Sequence, residues 1–181
     1  MRGILGEEMP EQATDYWSAS TPPEIHPADT VESADLRFML DYWRELKGER
    51  RWPSRAELSP QRMKSCLRAV HIYDIIQGGI DFRARLVGTG VYPGLEQDQT
   101  GRLISEHPDP GIRLRFGLLL RQVCATGEPA RSVSLRYTGA ALHDARTEGL
   151  WLPLGSAERM EQILAVSSLA FVPPAAGRAA R

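Results

Sequence analysis

With 181 residues, net charge −1 and 42 % hydrophobic side chains, the chain is sized for one globular domain that buries about two thirds of its unfolded surface. The near-neutral balance leaves no basic footprint for phosphate, which excludes nucleic acid as an expected partner. The first residues lack the apolar run of a secretory signal, no stretch is apolar enough for a membrane span, and Cys66 and Cys124 form no CxxC pair, so a cytoplasmic protein with reduced thiols and no membrane partner is expected.

Residues 1–31 are rich in Pro, Glu, Ser, Thr and Ala, with Pro10, Pro22, Pro23 and Pro27 interrupting any helix, and read as a flexible tail whose only large anchors are Tyr16 and Trp17. A helix is expected over 33–47, with Ser33 as N-cap, Asp35 in its first turn and Gly48 closing it. Leu36, Met39, Leu40, Trp43 and Leu46 follow helical spacing and make one apolar stripe. Burying each of these side chains contributes about 1.5–3 kcal/mol, so the stripe must dock on this chain's own sheet or on a second copy.

Pro53 and Ser59-Pro60 mark a turn and a short helix that carries Met63 and Leu67 inward. A hairpin follows: Val70, Ile72 and Ile76 alternate with His71, Tyr73 and Ile75, the turn is Gln77-Gly78-Gly79, and Phe82, Ala84 and Leu86 alternate with Arg83, Arg85 and Val87. Pro93, Gly94 and Gly101 limit residues 91–106 to short helical turns. Ile112, Phe116, Leu119, Leu120 and Val123 define a long helix over 109–125, stopped by Thr126-Gly127. Strands are expected at 131–137, 149–154 and 162–171, and a second flexible tail at 173–181. The sum is a single α+β domain over 32–172, a five-stranded antiparallel sheet with connecting helices and an amphipathic amino-terminal helix.

The chemistry-bearing residues do not gather into a catalytic pattern. His26, His71, His107 and His143 are far apart, and no two sit at metal-ligand spacing with a cysteine or acid pair. Ser65-Cys66 has no base signature beside it, there is no G-x-S-x-G elbow, and Gly88-Thr89-Gly90 lacks the third glycine and the lysine of a phosphate cradle. Neither a metal site nor an enzyme is expected. Arg113, Arg115 and Arg121 read as a solvated helix face, whereas Arg83 and Arg85 share a strand face within reach of Asp35, Asp41 and Glu45. The candidate dimer interface is therefore the first helix on that face, with Leu36, Met39, Leu40, Trp43 and Leu46 beside Trp151 and with Arg83 and Arg85 paired at the rim. The candidate ligand pocket is the apolar face of Phe82, Ala84, Leu86, Leu150 and Leu152 under Tyr92, Leu103 and Phe116, suited to a small apolar or aromatic ligand with Tyr92 as its polar handle.

Several segments together resemble a bacterial PAS-like family, common in alphaproteobacteria and first catalogued as a domain of unknown function. They are Trp43, Trp52-Pro53-Ser54-Arg55, Arg85-Leu86-Val87-Gly88-Thr89, Thr100-Gly101-Arg102, Gly127-Glu128-Pro129 and Trp151-Leu152-Pro153-Leu154-Gly155. The resemblance runs over about residues 36–170 and implies a PAS-like sheet whose inner face and covering helices form a small pocket, in a signalling context. Light-sensing PAS domains place a cysteine on the connecting helix, and this chain has none between Gly88 and Ile112, so flavin is not expected. Haem would need His71 or His107 as its axial ligand and is not expected either. No output domain is expected on either flank. The resemblance thus implies a stand-alone sensory or signalling module, homodimeric, with a small ligand, a signalling-protein partner, or both. The alternatives are a constitutive protein-interaction adaptor with a filled core and no ligand, and a small enzyme of unrecognised type.

Overall fold

The runs at 150–154 and 163–166 are apolar at successive positions, and a strand of that composition has to be covered on both faces. A computed structural model describes residues 23–89, 99–138 and 143–172 and places these runs at the centre of the sheet. In chain order the elements are β1 (Glu24–Pro27), α1 (Ala34–Lys47), β2 (Val70–Ile76), β3 (Asp81–Val87), α2 (Pro110–Thr126), β4 (Ala130–Thr138), β5 (His143–Gly155) and β6 (Met160–Val172). The strands form one antiparallel sheet in the order β1-β4-β5-β6-β2-β3, so the early hairpin is stitched to the last strand.

The fold is α+β, as expected, with six strands rather than five. The additional strand, β1, lies in the segment read as a tail, and it pairs with β4 from Glu24↔Val133 to Pro27↔Ala130. Pro27 is tolerated because β1 is an edge strand, where a missing N–H costs no ladder bond. Residues 28–31 are also built into the body, with Ala28 and Val31 buried. Tyr16, Trp17, Tyr92 and the segment 173–181 lie outside the described residues.

Each face of the sheet carries one long helix. α1 lays Leu36, Met39, Leu40 and Trp43 on Val70, Ile72, Leu150, Leu152, Leu154, Leu164 and Val166. α2 lays Ile112, Phe116, Leu119, Leu120 and Val123 on Tyr73, Phe82, Ala84, Trp151, Ile163 and Ala165. Local chemistry fixes the ends of α2: the Asp109 carboxylate accepts from the Gly111 and Ile112 amides at 2.7 and 3.2 Å, Pro110 occupies the first turn, and Gly127 closes the helix at φ +71°. Between Ser59 and β2 the chain makes turns and a one-turn 3-10 helix, Leu67–Ala69, instead of the short α-helix expected. Met63 is buried there as predicted, but Leu67 is exposed.

A β-bulge decides which side chains of β3 face α2. Ile72 pairs with Leu86, while the next residue, Tyr73, pairs with Ala84, leaving Arg85 as the extra residue. One extra residue inverts the alternation of everything beyond it. Phe82 and Ala84 therefore point at α2, and beyond the bulge Val87 rather than Leu86 takes that side.

Candidate functional site

A cavity of about 30 Å³ lies between α2, the β2–β3 hairpin and the connector 99–107, lined by His71, Tyr73, Ala84, Val87, Gln99, Ile104, His107, Ile112 and Phe116. It has room for one or two water-sized groups, since a single water needs roughly 10–15 Å³ on the same scale. β2 supplies His71 and Tyr73 at i and i+2, the strand period that puts both on the α2 side. The connector is tied to β3 by ladder-like bonds, with Ala84 N–H donating to Arg102 O at 3.0 Å and Gly101 N–H to Ala84 O at 2.7 Å. Asp81 holds its far end, accepting from the Ser105 hydroxyl at 2.5 Å.

An aromatic triad stiffens the floor. Trp151 stacks on Tyr73 with ring centroids 6.2 Å apart, and Phe116 meets both edge-on, at 5.6 Å from Trp151 and 6.1 Å from Tyr73. The Trp151 indole N–H donates to Ser132 Oγ at 2.9 Å. Gly149 leaves space for that bond: a Cβ there would stand 2.6 Å from Ser132 Oγ and 3.0 Å from Trp151 Nε1.

The polar groups of the cavity are uncharged at neutral pH. Burial pushes the His71 imidazole down to about 4, because desolvation disfavours the charged form. Burial also lowers His107, against an opposing pull from the Asp109 carboxylate. The Asp109 backbone N–H donates to His107 Nδ1 at 3.1 Å, which leaves the proton of the neutral ring on Nε2. Arg113 pins the same loop by donating to the His107 and Pro108 carbonyls at 2.5 and 3.0 Å. The site can therefore offer imidazole and amide hydrogen bonds in an aromatic wall, with no fixed charge.

Of the pocket residues expected from the sequence, Ala84 and Phe116 line this cavity, and Tyr92 lies outside the described residues. Phe82 is buried in the same α2-side core, packed as structure. Leu103 is half-buried in the connector, where it bridges to Arg83. Leu86 is turned away by the bulge and is 38 % exposed. Leu150 and Leu152 belong to the opposite face, beneath α1; in a strand apolar at every position, nothing local marks which side chains face which helix. The lining residues Tyr73, Val87, Gln99, Ile104 and Ile112 went unselected. Tyr73 was accessible to reasoning, as the strand-period neighbour of His71, whereas Val87 depends on the bulge.

The α1 stripe docks on the chain's own sheet, one of the two alternatives that its spacing left open. Leu36, Met39, Leu40 and Trp43 are buried against the protomer's own sheet, Leu46 packs half-buried beside them, and the Trp43 indole N–H donates to Pro153 O at 2.8 Å. Trp151 lies on the far face of the sheet from Trp43. Two of the three acids meant for Arg83 and Arg85 are engaged elsewhere: Glu45 takes a two-pronged contact from Arg62 at 2.7 Å, and Asp41 lies 3.8 Å from Arg44. Arg83 and Arg85 are exposed.

A second polar constellation escaped sequence reasoning. Glu148, on β5, accepts Arg131 Nε at 2.6 Å and also the Glu32 and Ser33 backbone amides at 2.8 and 2.9 Å. Arg131 reaches on to Glu32 at 2.7 Å. Ser33 is the N-cap of α1 as expected, but the carboxylate that meets the start of the helix comes from β5 and not from its own side chain. In sequence, Arg131 and Glu148 look like ordinary solvated strand charges.

Among the described residues no three His, Cys, Asp or Glu side chains are grouped to hold a metal. Burial raises the pKa of both Cys66 and Cys124, which keeps these free thiols protonated and poorly nucleophilic. No helix among the described residues is long and apolar enough to cross a membrane. Residues 31–168 match the sequence model of a family described as a PAS domain. No curated protein and no solved structure matches the chain.

Proposed function

The chain belongs to the PAS domain family, and we propose that it is a non-catalytic sensory module that takes a small uncharged ligand in the cavity beneath α2 and passes the signal to a protein partner. The observation that carries this reading is the pairing of neutral His71 and His107 with Gln99, Tyr73 and Phe116 around one small, partly open cavity. A neutral imidazole repays neither an anion nor a cation for its lost hydration, but it hydrogen-bonds an uncharged polar group well. The volume limits the occupant to a few heavy atoms, and α2, which walls the cavity, is the element positioned to relay occupancy. We place the protein in the cytoplasm, a reading supported by its free thiols.

The same small volume favours a second reading, a constitutive adaptor whose core is simply filled. Native mass spectrometry of gently purified protein separates the two. A reproducible small added mass, lost in the cavity-filling variant Ala84→Leu, is the outcome expected of a sensor. Identical bare masses for both proteins would leave the adaptor.

A further inference from the structure

The hydrogen bonds around His107 leave one donor over in the cavity wall. Its ring accepts the Asp109 backbone N–H on Nδ1 at 3.1 Å, a role that a ring nitrogen can fill only while it carries no proton. The proton therefore sits on Nε2, and no described residue accepts it. His107 is 6 % exposed and lines the cavity, beside the apolar Ala84, Val87, Ile104, Ile112 and Phe116. A buried N–H has given up its hydration, and an acceptor brought by an occupant restores what was lost. We propose that His107 Nε2–H is the donor that selects the occupant of this cavity, a small molecule carrying one uncharged acceptor, such as a carbonyl or a nitrile, on an apolar body. This rests on the reading of the cavity as a ligand site and narrows that reading to a chemical class.

The start of α2 sets the donor in place before any ligand arrives. Asp109 caps the helix with its carboxylate, which accepts from the Gly111 and Ile112 amides, while its own backbone N–H fixes the His107 ring. Arg113, one turn into the helix, donates to the His107 and Pro108 carbonyls. On the other side, the one-turn 3-10 helix Ile104–Glu106 runs into His107, whose backbone N–H donates to the Ile104 carbonyl at 3.2 Å. Ring and backbone are each tied, so binding costs this residue little freedom. A molecule that only donates, or one that is wholly apolar, leaves the Nε2–H unpaired.

Acetonitrile and propyne test the donor. They are rods of nearly equal length that differ in whether the far end is a nitrogen lone pair or a C–H. Titrating each into the full chain and following the Ile112 methyl resonance gives a dissociation constant for each probe. Propyne leaves water more readily, so the quantity to compare is the ratio of the two constants, measured in the native chain and in His107→Phe, which keeps a ring in the wall. Removing the donor should shift that ratio about fivefold against acetonitrile, the equivalent of one neutral hydrogen bond. In the native chain the His107 Nε2–H proton resonance should move with acetonitrile and stay still with propyne, a readout that needs no variant. The inference is overturned, with the ligand site left standing, if the ratio is the same in both proteins or if the Nε2–H resonance ignores acetonitrile while the Ile112 methyl responds. If neither probe moves the Ile112 methyl, the inference falls and the filled-core adaptor gains with it.

Discussion

His71 is 1 % exposed and titrates near 4 in the folded chain, whereas the unfolded chain binds its proton near the ordinary value of about 6.5. The folded-state value is the lower one, so the stability this residue confers is fully present above about pH 6.5 and falls away as the pH drops through about 4. The interval corresponds to at most about 3 kcal/mol. His107, also lowered by burial, acts in the same direction. Urea denaturation at pH 7.5 and pH 4.5 should therefore show a larger acid loss for the native chain than for His71→Phe, which keeps a ring in place. Equal losses in the two proteins would mean that the imidazole is not buried as a neutral group.

At the scale of elements, the docking of α1 hangs on a carboxylate outside it. Glu148→Ala leaves the Arg131 guanidinium without its buried partner, with only the exposed Glu32 carboxylate remaining, and removes the acceptor for two amides at the entry to α1. Breaking a buried pair from one side costs about 3–5 kcal/mol. Glu32→Ala removes the other carboxylate on Arg131, but its side chain is 57 % exposed, and an exposed pair is worth at most about 1 kcal/mol. Equilibrium unfolding of the two variants should show that asymmetry, and comparable losses would refute the central role given to Glu148. The contrast also locates what a sequence can convey. α2 was legible because its signals are local: an N-cap and proline at one end, a glycine at the other, and helical spacing between. The β2–β3 hairpin was legible for the same reason. β1 was not, because four residues containing a proline become a strand only through pairing with a segment more than a hundred positions away. The pocket face failed at a single residue, Arg85, whose insertion into the ladder trades Leu86 for Val87. The side of Leu150 and Leu152 failed because an uninterrupted apolar run is what burial on both faces demands, and such a run carries no phase.

Across the whole molecule, α2 is the element that joins the cavity to the surface. Phe116 and Ile112 wall the cavity, the same helix packs its inner residues on Tyr73 and Trp151, and its reverse side shows Leu114 and Leu118. A change in the cavity must therefore be felt either as a shift of α2 or as a loss of packing beneath it, because a close-packed interior has no slack to absorb it. Phe116→Ala separates these alternatives. Removing the ring deletes its edge-on contacts with Tyr73 and Trp151 and should cost about 3–5 kcal/mol if α2 stays where it is and the space remains open. An open space of that shape accepts benzene, which then stabilises the folded state in proportion to its occupancy, by about 2.7 kcal/mol at a hundred times its dissociation constant. Thermal denaturation with saturating benzene should raise the midpoint of Phe116→Ala and leave the native chain unmoved. If the variant loses far less stability and ignores benzene, α2 has settled onto the sheet. The cavity would then be a by-product of one side chain rather than a site the fold holds open.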